Sequence, residues 1–134
     1  IIHKDKYLKD WKKVADTIKA DIFENAWNKE KGAFTQFYGS KDMDAANLLM
    51  ASYGFIDTKD EKFIKTVIET KKELCYNGLM YRYKNQDDFG LPTSSFTICT
   101  FWLINSLDSI GQRKKAQRMF ALRSRCWWTI RRCV

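Results

Sequence analysis

Glycine, rather than proline, divides this sequence into segments. Pro92 is the only proline, and six glycines occur in 134 residues. Long helices joined by short turns are therefore expected. A unit made of a glycine, a short aromatic segment, a helix and a second glycine occurs twice, over residues 32–54 and 78–111. This repetition predicts a chain built from helical hairpins.

Hydrophobic periodicity predicts about five helices. They are expected over residues 5–25, 44–54, 59–77 and 94 or 95–110, with a fifth that starts near residue 112. The first and third carry an apolar stripe opposite a charged face, whereas the second and fourth are apolar on nearly all sides. Because helices that are apolar all round are buried, the chain should alternate outer and inner helices. This all-α pattern predicts part of an α/α toroid or solenoid.

The loops of such a fold meet at the N-terminal ends of the inner helices. Asp44 is the expected N-cap of the first inner helix. Free backbone N–H groups and the positive end of the helix dipole face a ligand there. A site for a polar substrate is therefore predicted at this end of the inner helices. Separately, Asn77-Gly78 is interpreted as the end of the third helix.

The net charge of +8 is unevenly distributed. Residues 1–112 contain 16 bases and 16 acids, and the remaining eight bases follow the last acid, Asp108. We therefore divide the chain into a domain over residues 1–120 and a basic tail over residues 121–134, rich in Arg, Cys and Trp. The tail is interpreted either as an arm for nucleic acid or an anionic surface, or as sequence translated in a shifted reading frame.

The four cysteines and one histidine do not form a metal-binding pattern. No CxxC occurs, so neither a metal site nor a cofactor is predicted. Cys75 and Cys99 lie in apolar helical patterns and are expected to be buried. No signal peptide and no membrane span are recognisable, which favours a cytoplasmic location and no membrane partner.

Specific motifs occur in the predicted loops. They are, in order, GAFTQFYGS (residues 32–40), MDA (43–45), YGFI (53–56), Asp60, Thr66, GL (78–79), YRY (81–83), Asp88, SF (95–96), Cys99, Phe101 and Trp102. The ordered set resembles the second half of the catalytic domain of glycoside hydrolase family 15, the glucoamylases and related trehalases. The resemblance covers residues 11–120 and implies an (α/α)6 barrel that hydrolyses α-glucosidic bonds with inversion.

The catalytic carboxyl groups implied by the resemblance are missing. Inverting hydrolysis needs a general acid and a general base about 6.5–9.5 Å apart. In the family the acid lies in a Trp-Glu motif and the base in a later Gly-Leu-x-x-Glu motif. This chain has no Trp-Glu pair and no acid after Asp108. No catalytic residue is therefore assigned, and the chain is expected to be inactive alone.

Substrate-binding positions are retained. Arg82 matches a family arginine that binds sugar hydroxyls, and Asp87 or Asp88 matches a nearby sugar-binding carboxylate. The guanidinium suits vicinal hydroxyls because its donors form a fixed fork. The candidate aromatic walls are Tyr38, Tyr81, Phe96 and Trp102. Structural alternatives remain open: Arg82 pairs with Asp87 or Asp88 to hold the loop, and Trp102 belongs to the core.

Two functional hypotheses follow. The first is a hydrolase fragment whose substrate by resemblance is an α-glucoside or oligosaccharide. The second is a helical binding module, either for carbohydrate through the Arg82 loop or, less favoured, for nucleic acid through the tail. Part of a ring leaves apolar helix faces uncovered, so a homo-oligomer or a complementing chain is expected.

Overall fold

A computed structural model describes the backbone of residues 5–130 and the side chains of most of them. Within this range it contains four α-helices, one 3₁₀ helix (η1) and two antiparallel β-hairpins. In chain order the elements are α1 (Asp5–Asn25), β1 (Trp27–Asn28), β2 (Ala33–Phe34), η1 (Ala45–Leu49), α2 (Glu61–Leu74), β3 (Cys75–Tyr76), β4 (Leu79–Met80), α3 (Thr97–Ser109) and α4 (Arg113–Ile130). The all-α prediction is confirmed, and the helices form part of an (α/α)6 toroid.

The predicted repeat is visible as a hairpin after each outer helix. Trp27 pairs with Phe34 in the first hairpin, and Cys75 pairs with Met80 in the second. Each hairpin turn contains a glycine with positive φ, 64° at Gly32 and 75° at Gly78. Glycine accepts this conformation without the steric cost of a Cβ atom.

Two buried threonines fix the hairpins to the helices. The backbone N–H of Phe34 donates to Thr66 Oγ1 of α2 at 3.1 Å, and that of Met80 donates to Thr100 Oγ1 of α3 at 3.0 Å. Both hydroxyl groups lie in fully buried side chains. A buried N–H without a partner is costly, so these hydroxyls set the position of each hairpin.

The first inner helix differs from the prediction. An α-helix over residues 44–54 was expected, but only Ala45–Leu49 is helical, as a 3₁₀ helix followed by turns. Asn47 Nδ2 donates to the carbonyl oxygens of Phe34 and Thr35, which holds this short segment against the first hairpin. Short segments with such constraints commonly adopt the tighter 3₁₀ geometry.

The neighbouring helix boundaries also need correction. The third predicted helix ends at Leu74 rather than Asn77 because residues 75–80 form a hairpin around Asn77-Gly78. Asn-Gly is the preferred pair for such a turn, and both residues have positive φ. The fourth helix begins at Thr97 instead of residue 94 or 95. Phe96, just before it, has an extended backbone, and its N–H donates to the Met80 carbonyl oxygen at 2.7 Å. By contrast, the predicted end of α1 at Asn25 is confirmed.

The core lies where α2, η1 and α3 meet the two hairpins. Its largest fully buried side chains are Phe34, Phe63, Met43, Leu48, Leu74, Met80, Leu103 and Leu107. Cys99 is buried, as expected, whereas Cys75 is only half-buried, and both are free thiols. The arrangement places the loop ends of η1 and α3 side by side.

The apolar stripe of α1 is uncovered over most of its length. Its exposed fractions range from 49% at Tyr7 to 66% at Trp11, and only Ile22 and Phe23 near the C-terminal end pack against the core. Apolar side chains at helical spacing are typical of a face that packs on another element, so the exposed Leu8, Trp11, Val14 and Ile18 form a candidate contact surface.

Replacing Thr66 with valine tests the role of the buried hydroxyl. Thr66→Val keeps the shape but leaves the Phe34 N–H without its acceptor, so the free energy of unfolding should fall by about 1–3 kcal/mol. Urea denaturation measures the change. Thr70→Val is the matched control, because Thr70 is buried on the same helix and its hydroxyl has no hydrogen-bond partner among the described residues. The control should be neutral or stabilising, and equal losses in both variants would contradict the interpretation.

Candidate sugar-binding site

A groove of about 570 Å³ opens at the loop end of α3. It is lined by Arg82, Tyr83, Asp87 and residues 89–96. Polar and apolar groups therefore share one concave surface, as in many small-molecule sites. The groove lies at the N-terminal end of α3, where a site for a polar substrate was predicted, and that prediction stays a proposal.

Arg82 is hydrogen-bonded to residues of the neighbouring helical repeat. Its Nε donates to Asp44 Oδ1 at 2.6 Å, and its carbonyl oxygen accepts the Ala45 N–H at 2.8 Å. The hydrogen bond to Asp44 raises the pKa of Arg82 further above its ordinary value. The expected alternatives Asp87 and Asp88 are wrong as ion-pair partners, because the buried Asp44 carboxylate lies closer to the guanidinium and is already fixed by its helix.

One oxygen atom of Asp44 both caps a helix and binds Arg82. The predicted N-cap is confirmed, since Asp44 Oδ1 also accepts the Ala46 N–H at 2.6 Å. A carboxylate held by two donors keeps a narrow range of orientations. Arg82 is thereby oriented through Nε, and its terminal nitrogens remain as the donors for a ligand.

Trp102 of α3 lies beneath the arginine. The Arg82 guanidinium carbon is 5.7 Å from the centroid of the indole ring, within the range of a cation–π contact. Trp102 is half-buried and also packs against the core. Trp102 therefore contacts the Arg82 guanidinium and is not part of the groove lining.

Asp87 organises a turn at the rim of the groove. Its carboxylate accepts the Tyr83 hydroxyl and the Phe89 N–H, the latter at 2.8 Å. Both hydrogen bonds lower the pKa of Asp87, and the bond from Tyr83 contributes more than the bond from Phe89. The residue is thus a fixed anion that shapes the loop, and Phe96, 55% exposed, lies across the same groove.

The remaining predicted residues lie outside the groove lining. Tyr38 is exposed and its hydroxyl donates to Asp21 of α1 at 2.6 Å. Tyr81 packs against the core, with Lys84 Nζ 5.3 Å from the centroid of its ring. Asp88 is exposed beside the turn. The structure therefore brings together Arg82, Asp87 and Phe96.

Sequence reasoning missed the contribution of three residues to this site. Asp44 was interpreted only as a cap, although its MDA motif was noted, because its contact with Arg82 spans 38 positions. Tyr83 was part of the YRY motif and was not assigned a role. Phe89, at the tip of the Asp87 turn, had no signal apart from its place between two polar residues and a glycine.

Two further findings limit the chemistry of the described residues. No group of three or more His, Cys, Asp or Glu side chains among them is arranged to hold a metal ion. None of the helices described has both the length and the apolar character that a bilayer crossing requires. The side chains of most of the predicted tail, residues 123–134, lie outside the described residues, although the backbone of α4 continues to Ile130.

Comparison with known proteins decides the family. Residues 2–128 match the profile of the glycosyl hydrolases family 15. The chain belongs to this family. A trehalase of Thermoplasma volcanium is 37% identical over 113 residues, and a trehalase of Mycobacterium tuberculosis is 39% identical over 116 residues. Each match covers 84% of this chain but only 18% and 17% of the respective relative, so the chain spans less than a fifth of their length.

Solved structures confirm the fold of this family 15 chain. It superposes on a wild-type glycosidase with a TM-score of 0.77 and 16% identity, over 90% of this chain and 32% of the glycosidase. A variant of a glycosidase in complex with glucose gives the same TM-score, identity and coverage. The recognised family and the partial toroid are therefore both confirmed.

The Tyr83–Asp87 hydrogen bond predicts a pH effect. A carboxylate whose pKa is lowered by folding stabilises the turn above the pKa of the unfolded chain, and this stabilisation is lost as the pH falls through the folded pKa. The turn should therefore hold at neutral pH and loosen under acidic conditions. Tyr83→Phe removes the main cause and should return the pKa of Asp87 toward its ordinary value, as measured by NMR titration of the carboxyl carbon. Tyr81→Phe is the control, and an unchanged Asp87 midpoint in Tyr83→Phe would refute the assignment.

Proposed function

We propose that this chain is a segment of a hydrolase of α-glucosidic bonds and that it binds the sugar in the groove of Arg82. The observation that carries the proposal is the orientation of Arg82 by a buried carboxylate at the loop end of two adjacent inner helices. Family membership supports a carbohydrate ligand. The relatives are called trehalases, so trehalose is the first disaccharide to test, with maltose and soluble starch as alternatives.

We also propose that residues 1–134 do not catalyse the reaction by themselves. A general acid in this chemistry needs a raised pKa. Asp87, in the groove lining, has a lowered pKa instead. Asp44 lies outside the lining and accepts hydrogen bonds from the Arg82 guanidinium and the Ala46 N–H. Both groups support the binding loop instead of supplying or accepting a proton.

The boundary near residue 120, the cytoplasmic location and the reading-frame interpretation of residues 121–134 stay predictions. The alternative of a nucleic-acid module depends on the basic tail over residues 121–134, a segment with four arginines and no acid. Salt-sensitive binding of RNA that disappears when residues 121–134 are deleted would favour this alternative.

Replacing the arginine tests the proposed site. Arg82→Lys keeps the charge but loses the planar set of donors, and a hydrogen bond to a charged group contributes about 1.5–3 kcal/mol. The Kd for trehalose or maltose, measured by calorimetry, should therefore rise about ten- to hundredfold. Arg113→Lys is the matched control, because Arg113 also pairs through Nε with an aspartate, Asp108, but lies outside the groove. Equal affinity in the wild type and Arg82→Lys would refute the site.

We further propose that a second copy or a complementing chain covers the exposed stripe of α1. The stripe includes Trp11, Leu8 and Val14, each more than half exposed. Sedimentation velocity should show a concentration-dependent species larger than the monomer, and Trp11→Lys should shift it toward the monomer because a charge then enters the interface. A monomer at all concentrations in the wild type would exclude self-association.

A further inference from the structure

Phe89 is almost completely exposed although it is an aromatic residue in an ordered turn. Its exposed fraction is 99%, whereas the Arg82 side chain in the same groove is 38% exposed. The backbones of Asp87 and Gly90 exchange two hydrogen bonds of 3.1 and 3.0 Å across the turn. Gly90 has a φ of 97°, which is easy for glycine and strained for other residues.

The Asp87 carboxylate fixes the direction of the turn. It accepts the Phe89 N–H and the Tyr83 hydroxyl, so the turn is bound to the loop that carries Arg82. The aromatic ring is therefore held in solvent by a hydrogen-bonded turn. Leu91 and Phe96 in the same groove lining are also exposed, so Phe89 belongs to an apolar patch and is not an isolated surface aromatic.

The groove has a gradient from polar to apolar. Arg82 and Asp87 provide charged groups, and the more exposed Phe89, Leu91 and Phe96 form an apolar rim. A pyranose ring has hydroxyl groups around its edge and C–H groups on its faces. A ligand of two rings therefore has, within one groove lining, a charged partner for the hydroxyl groups of one ring and an aromatic partner for the C–H face of the other.

We infer that Phe89 determines specificity for ligands of two or more sugar rings by packing against the C–H face of the ring that follows the one bound at Arg82. The inference rests on the proposed function of the groove. Phe89 is a specificity residue and takes no part in bond cleavage. Its contribution depends on apolar contact area, so aromatic replacements should be accepted and small ones should not.

Titrations of the 134-residue chain with three sugars test this assignment. NMR chemical shifts give the Kd for methyl α-glucoside, which has one ring, and for trehalose and maltose, which have two. Phe89→Ala should raise the Kd for the disaccharides about tenfold, equivalent to the loss of about half of a buried phenylalanine. The Kd for methyl α-glucoside should not change. Phe89→Tyr should retain wild-type affinity for all three sugars.

A control excludes a general effect of removing surface aromatics. Tyr53→Ala removes an 81% exposed aromatic side chain that lies after the C-terminal end of η1, away from the groove lining. It should bind all three sugars as the wild type does. Since neither side chain is buried, both variants should keep the wild-type spectrum and free energy of unfolding.

The possible results distinguish the proposed function of the groove from the role inferred for Phe89. Wild-type disaccharide affinity in Phe89→Ala, together with weak binding in Arg82→Lys, would overturn the role of Phe89 and keep the proposed function. An equal loss for methyl α-glucoside and the disaccharides would also overturn the role, because Phe89 would then act at the first ring. If the wild type binds none of the sugars, both the proposed function and the inference are wrong.

Discussion

The Asp44 carboxylate joins the two helical repeats at the place where they form the groove. One of its oxygens accepts the Ala46 N–H and the Arg82 Nε, both at 2.6 Å, while the Ala45 N–H donates to the Arg82 carbonyl oxygen. The start of η1 and the loop after β4 are therefore bound through both backbone and side chain. Loss of this carboxylate would leave a helix end and a half-buried guanidinium without a partner, and such groups are costly. The orientation of Arg82, its stacking on Trp102 and the shape of the groove all depend on this contact.

Local patterns predicted the elements better than the contacts between them. The end of α1 and the glycine-marked repeat follow from periodicity and turn chemistry, which involve neighbours in sequence. The 3₁₀ geometry of η1 depends on Asn47 binding the first hairpin, and the partner of Arg82 lies 38 positions away. Composition contains no information on such distant pairs. Resemblance to the family indicated Arg82, and Asp87 or Asp88, as candidate site residues, but it did not indicate Asp44 or Phe89.

The fold also explains why the same chain has an ordered polar groove and exposed apolar side chains. Inner elements η1 and α3 pack against each other and against α2, and α3 also packs against α4, although Ile98 and Phe101 of α3 stay exposed. The stripe of α1 is exposed from Leu8 to Ile18 as well. This chain covers 32% of the superposed glycosidase, so its helices form an arc of the toroid and not the closed ring. The groove, in contrast, is built from groups within the arc.

We propose that binding and catalysis are separable in this chain, and the proposal is supported by the hydrogen bonds that tie Asp44 and Asp87 to the loops at the groove. Incubation of the purified chain with trehalose, maltose and soluble starch, followed by enzymatic measurement of released glucose, tests this separation most directly. The expected result is no release above the buffer control at any chain concentration for which sugar binding is measured. Glucose release that rises in proportion to the chain and disappears in Arg82→Lys would contradict it.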